Sequence, residues 1–273
     1  MALLEARNLR KTFPIHAGVG PARGRRVAVD GVNLALAAGE TLAVVGESGC
    51  GKTTLARLLL RLLEPDSGEV RFAGRDLLAV SGDELRALRR QMQMVFQDPF
   101  SSLNPRMRAG AIIGEPLEIH EPQLSRAERQ KRVIETLAAV GLSEDALARY
   151  PHEFSGGQRQ RLGIARALVL RPKLVVADEP VSALDVSVGA QILELLGRLQ
   201  REFALTYLFI SHSLPVVAQL ATRVAVMHAG RFVEEGPTEQ VLSQPAHDYT
   251  RLLLASVPRV ERISSGGQEP GPR

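Results

Sequence analysis

Short apolar blocks and longer amphipathic stretches alternate along the chain. Leu42 to Val45 (LAVV) is an apolar run that reads as a buried strand, Leu174 to Ala177 and Thr206 to Ile210 also read as strands, and Val224 to Met227 begins a final meander. Leu4 to Leu9, Val27 to Val29, Val32 to Leu36, Glu69 to Phe72, Met92 to Phe96 and Arg231 to Glu234 also read as strands. The turn signals Ala38-Gly39, Pro65-Asp66-Ser67-Gly68 and Ala73-Gly74 punctuate them. Pro14 to Arg26, rich in Gly, Pro and Arg, reads as an exposed loop.

Helical periodicity predicts Thr54 to Leu63, a helix opened by a capping box Ser81-x-x-Glu84, and Val186 to Phe203. After Asp98 to Arg108, whose prolines and turn formers redirect the chain, Ala109 to Arg171 reads as helical throughout. There Ser125-x-x-Glu128 caps a helix that runs to Val140 and stops at Gly141, and a basic helix from Gly157 to Leu170 stops at Pro172. Strands alternating with helices define an α/β fold with a parallel, doubly wound core, and a helical block between strands of one sheet reads as an insertion. Ser264 to Arg273 has the composition of a disordered tail.

Composition narrows the class. With 273 residues, 45% apolar and 23% charged, the chain buries a large core. No run approaches the roughly 18 apolar residues of a membrane span, and the N-terminal MALLEARNLRK lacks a signal-peptide core, so a cytoplasmic protein is expected. The one cysteine, Cys50, excludes an internal disulfide framework and a cysteine-rich metal site built by this chain alone. The net charge of +4 is spread along the sequence and gives no argument for binding nucleic acid.

The candidate chemistry begins right after the LAVV strand. Gly46 to Thr53 fits G-x-x-x-x-G-K-[ST] between a strand and a helix, the setting of a phosphate cradle. Gly46, Gly49 and Gly51 allow the tight turn, the helix N-terminus adds positive potential, Lys52 is placed to reach the outer phosphates and Thr53 to ligate Mg²⁺. The strand at Leu174 delivers Asp178 and Glu179 at its C-terminal end, where ligands bind in open α/β sheets. Asp178 suits Mg²⁺ and Glu179 the attacking water. Ser155-Gly156-Gly157-Gln158 opens the basic helix as a second anion site, which makes sense if two ATPase chains face each other. Phe13 reads equally as a core aromatic or as a ring on which adenine stacks. His212 alone, beside a strand end, reads as a buried core histidine.

The phosphate loop, Gln97, Ser155 to Gln158, Asp178-Glu179, Ser182-Ala183-Leu184-Asp185 and His212 occur in the order and spacing of an ABC transporter ATP-binding subunit. The chain resembles that family from Leu4 to about Pro258. The resemblance implies a P-loop core with a parallel sheet, an antiparallel β subdomain and an inserted helical subdomain. Its boundaries would be a core over 1–99 and 172–236, helices over about 100–171, a helical extension over 237–258 and a tail over 259–273. It implies two ATP molecules bound in a head-to-tail pair. Phe13 would stack on adenine; Gly46, Ser48, Gly49, Cys50, Gly51, Lys52, Thr53 and Thr54 would hold the phosphates. Thr53, Gln97 and Asp178 would hold Mg²⁺, Glu179 would be the general base, His212 would bond the γ-phosphate, and Lys52 and Gln97 would assist. Ser155, Gly156, Gly157, Gln158 and Asp185 would complete the partner chain's site.

Phe96 to Met107, His152 to Arg161 and Pro245 to Pro258 resemble the dipeptide, oligopeptide and nickel importers. Phe154 suits that branch, whereas Ser213 stands where an acidic residue often follows the histidine. The implied partners are a second ATPase subunit, two transmembrane permease subunits and an extracytoplasmic binding protein, at the cytoplasmic face of the membrane. The branch usually pairs two different ATPases, favouring a heterodimer over a homodimer. A C-terminal iron–sulfur site is found on several cysteines in some of the branch's ATPases; with none after Cys50, this chain is either the other subunit of such a pair or lacks the cluster. The competing class is a soluble ABC-type ATPase acting on nucleic acid, whose doubled domains or zinc insertions this sequence lacks.

Overall fold

The computed structural model describes residues 2–15, 24–98 and 102–256. The N-terminal elements are β1 (Ala2–Pro14), β2 (Arg25–Ala37), β3 (Thr41–Val45), α1 (Lys52–Leu59), β4 (Ser67–Phe72), β5 (Arg75–Asp76), α2 (Gly82–Arg90) and β6 (Met92–Val95). A helical stretch follows: α3 (Ala109–His120), α4 (Arg126–Ala139) and α5 (Gly156–Leu168), with short 3₁₀ turns at Glu144–Ala148 and Pro151–Glu153. The chain then runs through β7 (Leu174–Asp178), α6 (Val186–Phe203), β8 (Thr206–Ser211), α7 (Leu214–Leu220), β9 (Arg223–His228), β10 (Arg231–Pro237), α8 (Thr238–Ser243) and α9 (Asp248–Ala255).

Two sheets form, in the orders β10-β9-β3-β8-β7-β6 and β2-β1-β4-β5. In the first, β9, β3, β8, β7 and β6 are mutually parallel and β10 adds an antiparallel edge. The second is antiparallel throughout. The strand period of two divides the core between them. Leu42 and Val44 of β3 face a cluster with Leu4, Leu36, Leu55, Val70 and Phe72, between the two sheets. Ala43 and Val45 face the opposite cluster, with Ile112 and Leu117 of α3, Leu162 of α5 and Ile192 and Leu196 of α6. All five residues of β3 are buried, as a strand covered on both faces must be.

The sequence underestimates the N-terminal strands. Leu4 to Leu9 extends to Ala2–Pro14, and the two short strands at Val27 and Val32 are one strand, Arg25–Ala37, which crosses Gly31 at φ 67°. Irregular register in the β1–β2 ladder breaks the alternation that would have revealed its length. Pro14, Arg25 and Arg26 are ladder residues rather than loop, and residues 16–23 of that loop lie outside the described part. The helix predicted over Thr54 to Leu63 ends at Leu59 because Arg61 turns left-handed at φ 49°. Ser81 precedes α2 without capping it through its side chain, because Glu84 is drawn to Arg75. The box at Ser125 does form, with Glu128 Oε2 accepting from the Ser125 backbone N–H at 2.8 Å. The predicted tail over 259–273 lies outside the described residues; among the described residues no helix is long and apolar enough to cross a membrane.

Candidate active site

Parallel pairing brings the predicted residues together. Val45 is level with Ser211, Asp178 with Ile210 and Ala177 with Val95, so β3, β6, β7 and β8 end on one edge. Beyond those ends lie the phosphate loop, Gln97, Glu179 and His212 respectively, around a recess of about 850 Å³. Phe13, Ser48, Gly49, Gly51, Lys52, Thr53 and Thr54 line it, and so do Gln97, Glu179, Ser182 and His212.

The loop is built with little room. Gly46 and Gly51 hold φ of 155° and 118°, and a Cβ on them would stand 2.2 Å from the Met227 carbonyl oxygen and 2.1 Å from that of Ala28. Only glycine meets both requirements. Lys52 is 4% exposed and its Nζ donates to the carbonyls of Gly46 and Glu47 at 2.7 and 2.8 Å. Cys50 Sγ lies 3.9 Å from the same Nζ; burial pushes its thiol up, against the opposing pull of Lys52.

Thr53 Oγ1 donates to Asp178 Oδ1 at 3.1 Å. Asp178 is also 4% exposed, and burial raises its carboxyl above the usual range, with Thr53 opposing and Glu179 adding to the rise. A buried carboxylate beside a hydroxyl is an oxygen donor set of the kind a hard divalent cation takes, completed by substrate phosphates.

Glu179 is held at φ 47°, a left-handed conformation costly for a residue with a side chain, and its backbone N–H donates to Ile210 O at 2.9 Å. Its Oε2 accepts from Gln97 Nε2 at 3.1 Å and lies 3.0 Å from His212 Nδ1. The other carboxylate oxygen takes neither contact. His212 is 55% exposed, so the reading of it as a buried core histidine is corrected: it follows the end of β8, where the chain opens into the recess. Phe13 is not a core aromatic either. It is partly exposed at the end of β1, on the recess wall.

Ser155, Gly156, Gly157, Gln158 and Asp185 do not line this recess. Ser155 and Gln158 close a reciprocal cap at the start of α5, with Gln158 Oε1 accepting from the Ser155 N–H at 3.0 Å. Asp185 caps α6 by accepting from Val188 N–H at 2.9 Å, and a Cβ on Gly157 would stand 2.4 Å from Val188 Cγ1. The two helix starts are therefore packed together as a separate surface.

Two site residues escaped the sequence. Arg26 faces Phe13 across the β1–β2 ladder, lines the recess, and donates from Nη2 to Gly49 O at 2.8 Å. Tyr249 of α9 accepts through its hydroxyl from the Glu47 N–H at 3.2 Å, its ring centroid 4.0 Å from that of His228. Neither sits in a local motif; only the paired sheet and the returning C-terminal helix place them.

A phosphate loop, strand-end carboxylates and a glutamine and histidine converging on the second of them are the site of a P-loop ATPase. The family model described as "ABC transporter" matches residues 29–182, more than half of the chain, and the chain belongs to that family. A second model, "Oligopeptide/dipeptide transporter, C-terminal region", matches residues 233–272. Curated relatives include the probable peptide ABC transporter ATP-binding protein y4tS of Sinorhizobium fredii, 55% identical over 94% of this chain and 73% of that protein. The oligopeptide transport ATP-binding protein AppF of Bacillus subtilis is 50% identical over 99% of this chain and 85% of that protein. Among solved structures, the dimeric ATP-binding cassette MJ0796 bound to ADP and Pi superposes with a TM-score of 0.77 at 31% identity, over 86% of this chain and 98% of that one.

Proposed function

We propose that this chain is the ATP-hydrolysing subunit of a membrane importer for di- or oligopeptides. The observation that carries the reading is the convergence of Gln97 and His212 on Glu179 Oε2, in a recess also lined by Lys52 and by Thr53, which is bonded to Asp178. In the proposed reaction the phosphates of ATP lie along the loop from Gly46 to Thr54, Lys52 faces the outer phosphates, and the adenine stacks on Phe13. Glu179, oriented by Gln97 and His212, turns its remaining oxygen to a water and takes its proton as that water attacks the γ-phosphorus and the bond to the β-phosphate oxygen breaks, giving ADP and inorganic phosphate. His212 exchanges its contact with Glu179 for one with the γ-phosphate as the site closes. Mg²⁺, which neutralises phosphate charge when bound, would be held by Thr53, Asp178 and Gln97.

Ser155, Gly156, Gly157, Gln158 and Asp185 form, in this reading, the surface that completes the site of a second ATPase subunit. Their absence from the lining of this chain's own recess and the dimeric state of the MJ0796 cassette support it. We assign 1–99 and 172–236 to the nucleotide-binding core, about 100–171 to the helical subdomain and 237–258 to the extension. A groove of about 610 Å³ between α3 and β6 carries the exposed side chains of Leu62, Phe96 and Ile119, directly beside Gln97. We read it as the dock for one of two permease subunits, with the chain at the cytoplasmic face of the membrane and an extracytoplasmic binding protein serving the complex. A heterodimeric ATPase pair is the favoured assembly.

The test is affinity purification of the tagged chain from detergent-solubilised membranes of its host, with mass spectrometry of the co-purifying proteins. Two multispanning proteins and a second ATPase are the expected result. Recovery from the soluble fraction, alone or with nucleic acid, would replace the importer by a soluble ATPase.

A further inference from the structure

Basic side chains that are dispersed in the sequence gather at one place outside the nucleotide site. A recess of about 580 Å³ opens between α2, the end of α3 and the link from α5 to β7. Arg86, Arg90, His120, Arg171 and Lys173 line it, and Asp83 is the one carboxylate residue in its wall.

The charges there are unevenly balanced. Arg90 donates to Glu121 at 2.7 Å, but Glu121 also takes Arg132, so one buried carboxylate serves two guanidiniums. Arg171 reaches Glu135 at 3.5 Å through an exposed pair that water screens. Arg86 and Lys173 make no ion pair among the described residues. His120, half-buried at the rim, is pushed below the usual imidazole range by burial and by the positive fields of Arg86 and Arg90, with Glu121 opposing. A neutral imidazole among fixed cations adds a hydrogen-bonding group without adding charge. Concave walls of one sign focus field, and guanidiniums present paired N–H groups that match phosphate oxygens.

We propose that this recess is a binding site for a phosphate-bearing anion, distinct from the ATP site, with Arg86 and Lys173 as its principal ligands and Arg90, Arg171 and His120 completing it. The shared chemistry is the phosphate group, carried either by a soluble polyphosphate or by the headgroup of an anionic lipid. Arg86 stands on α2 of the nucleotide-binding side and His120 ends α3, so an occupant would tie these helices together beside the groove, whose wall also includes His120.

The chain, its nucleotide site saturated with a non-hydrolysable Mg-ATP analogue, is titrated with pyrophosphate by calorimetry. It is also floated with vesicles of phosphatidylglycerol or of phosphatidylcholine. Arg86→Ala/Lys173→Ala is carried in parallel; both side chains are exposed and outside the ATP site, so its thermal midpoint and ATP affinity are expected to match the parent. The expected result is binding of pyrophosphate or of phosphatidylglycerol vesicles, but not of phosphatidylcholine vesicles, weakened about tenfold or more in the double variant. Pyrophosphate binding identifies a soluble ligand, vesicle binding alone a headgroup. Binding of neither probe, or equal binding by parent and variant, overturns the proposal.

Discussion

Glu179 concentrates the strain and the polar contacts of the site in one residue. A left-handed backbone at a non-glycine residue costs of the order of 1 kcal/mol, and it persists here because β8 fixes the Glu179 N–H while Gln97 and His212 fix the carboxylate. Arg26 acts on the opposite wall. By donating to the Gly49 carbonyl, Arg26 satisfies an acceptor in the turn of the phosphate loop and ties the loop to β2, which stabilises it in the observed form. Arg26→Ala is therefore expected to raise KM for ATP roughly fivefold while leaving kcat nearly unchanged, since the contact is made before and during the reaction alike. Steady-state hydrolysis read at varied ATP checks this; a fall in kcat with KM constant would place Arg26 in the chemical step instead.

The elements that carry the site depend on a few cross-connections. Asp66, in the turn before β4, accepts from the Thr12 hydroxyl at 2.7 Å, from the Thr12 N–H at 2.8 Å and from Lys11 Nζ at 3.1 Å, pinning the end of β1 where Phe13 projects. The Thr12 hydroxyl above all, then Lys11, draws its carboxyl from 3.8 down to about 2. A depressed carboxylate stabilises the fold above its unfolded pKa, so this contribution is complete above about pH 4 and is lost as pH falls from about 4 to about 2. In Asp66→Asn, thermal midpoints measured across that window should fall less with acid than in the parent, and the same slope in both would contradict the assignment. Between α5 and α6, Gly157→Ala would drive a methyl into the stiff Val188 side chain. A loss of about 1–3 kcal/mol in denaturant unfolding is expected, partly recovered in Gly157→Ala/Val188→Ala.

Legibility in the sequence follows how local each feature is. The cradle at Gly46 to Thr53 and the Asp178-Glu179 pair are contiguous runs attached to buried strands, and the parallel core was readable from the same alternation of strand and helix. Arg26, Tyr249 and the cluster around Lys173 were not, because each acquires its neighbours through tertiary pairing across long stretches of chain. The length of β1 and β2 was hidden by their register irregularities, and the box predicted at Ser81 does not form because Glu84 pairs with Arg75 instead.

On the scale of the molecule, one mainly parallel sheet separates two cores, and all the catalytic candidates gather at a single edge of it. Cys50 lies inside that edge, partly buried, so a bulky thiol reagent should abolish ATP binding and bound ATP should protect the thiol; labelling that leaves binding intact would contradict the placement of the loop. The most direct test of the whole account is phosphate release by the complex purified through this chain, compared between the parent and Glu179→Gln. The amide keeps the size of the side chain but cannot take a proton from water. Turnover is predicted to drop by about a hundredfold or more while ATP binding is retained. Undiminished hydrolysis by Glu179→Gln, with any partner ATPase carrying the same change, would remove Glu179 from the reaction and with it the site described above.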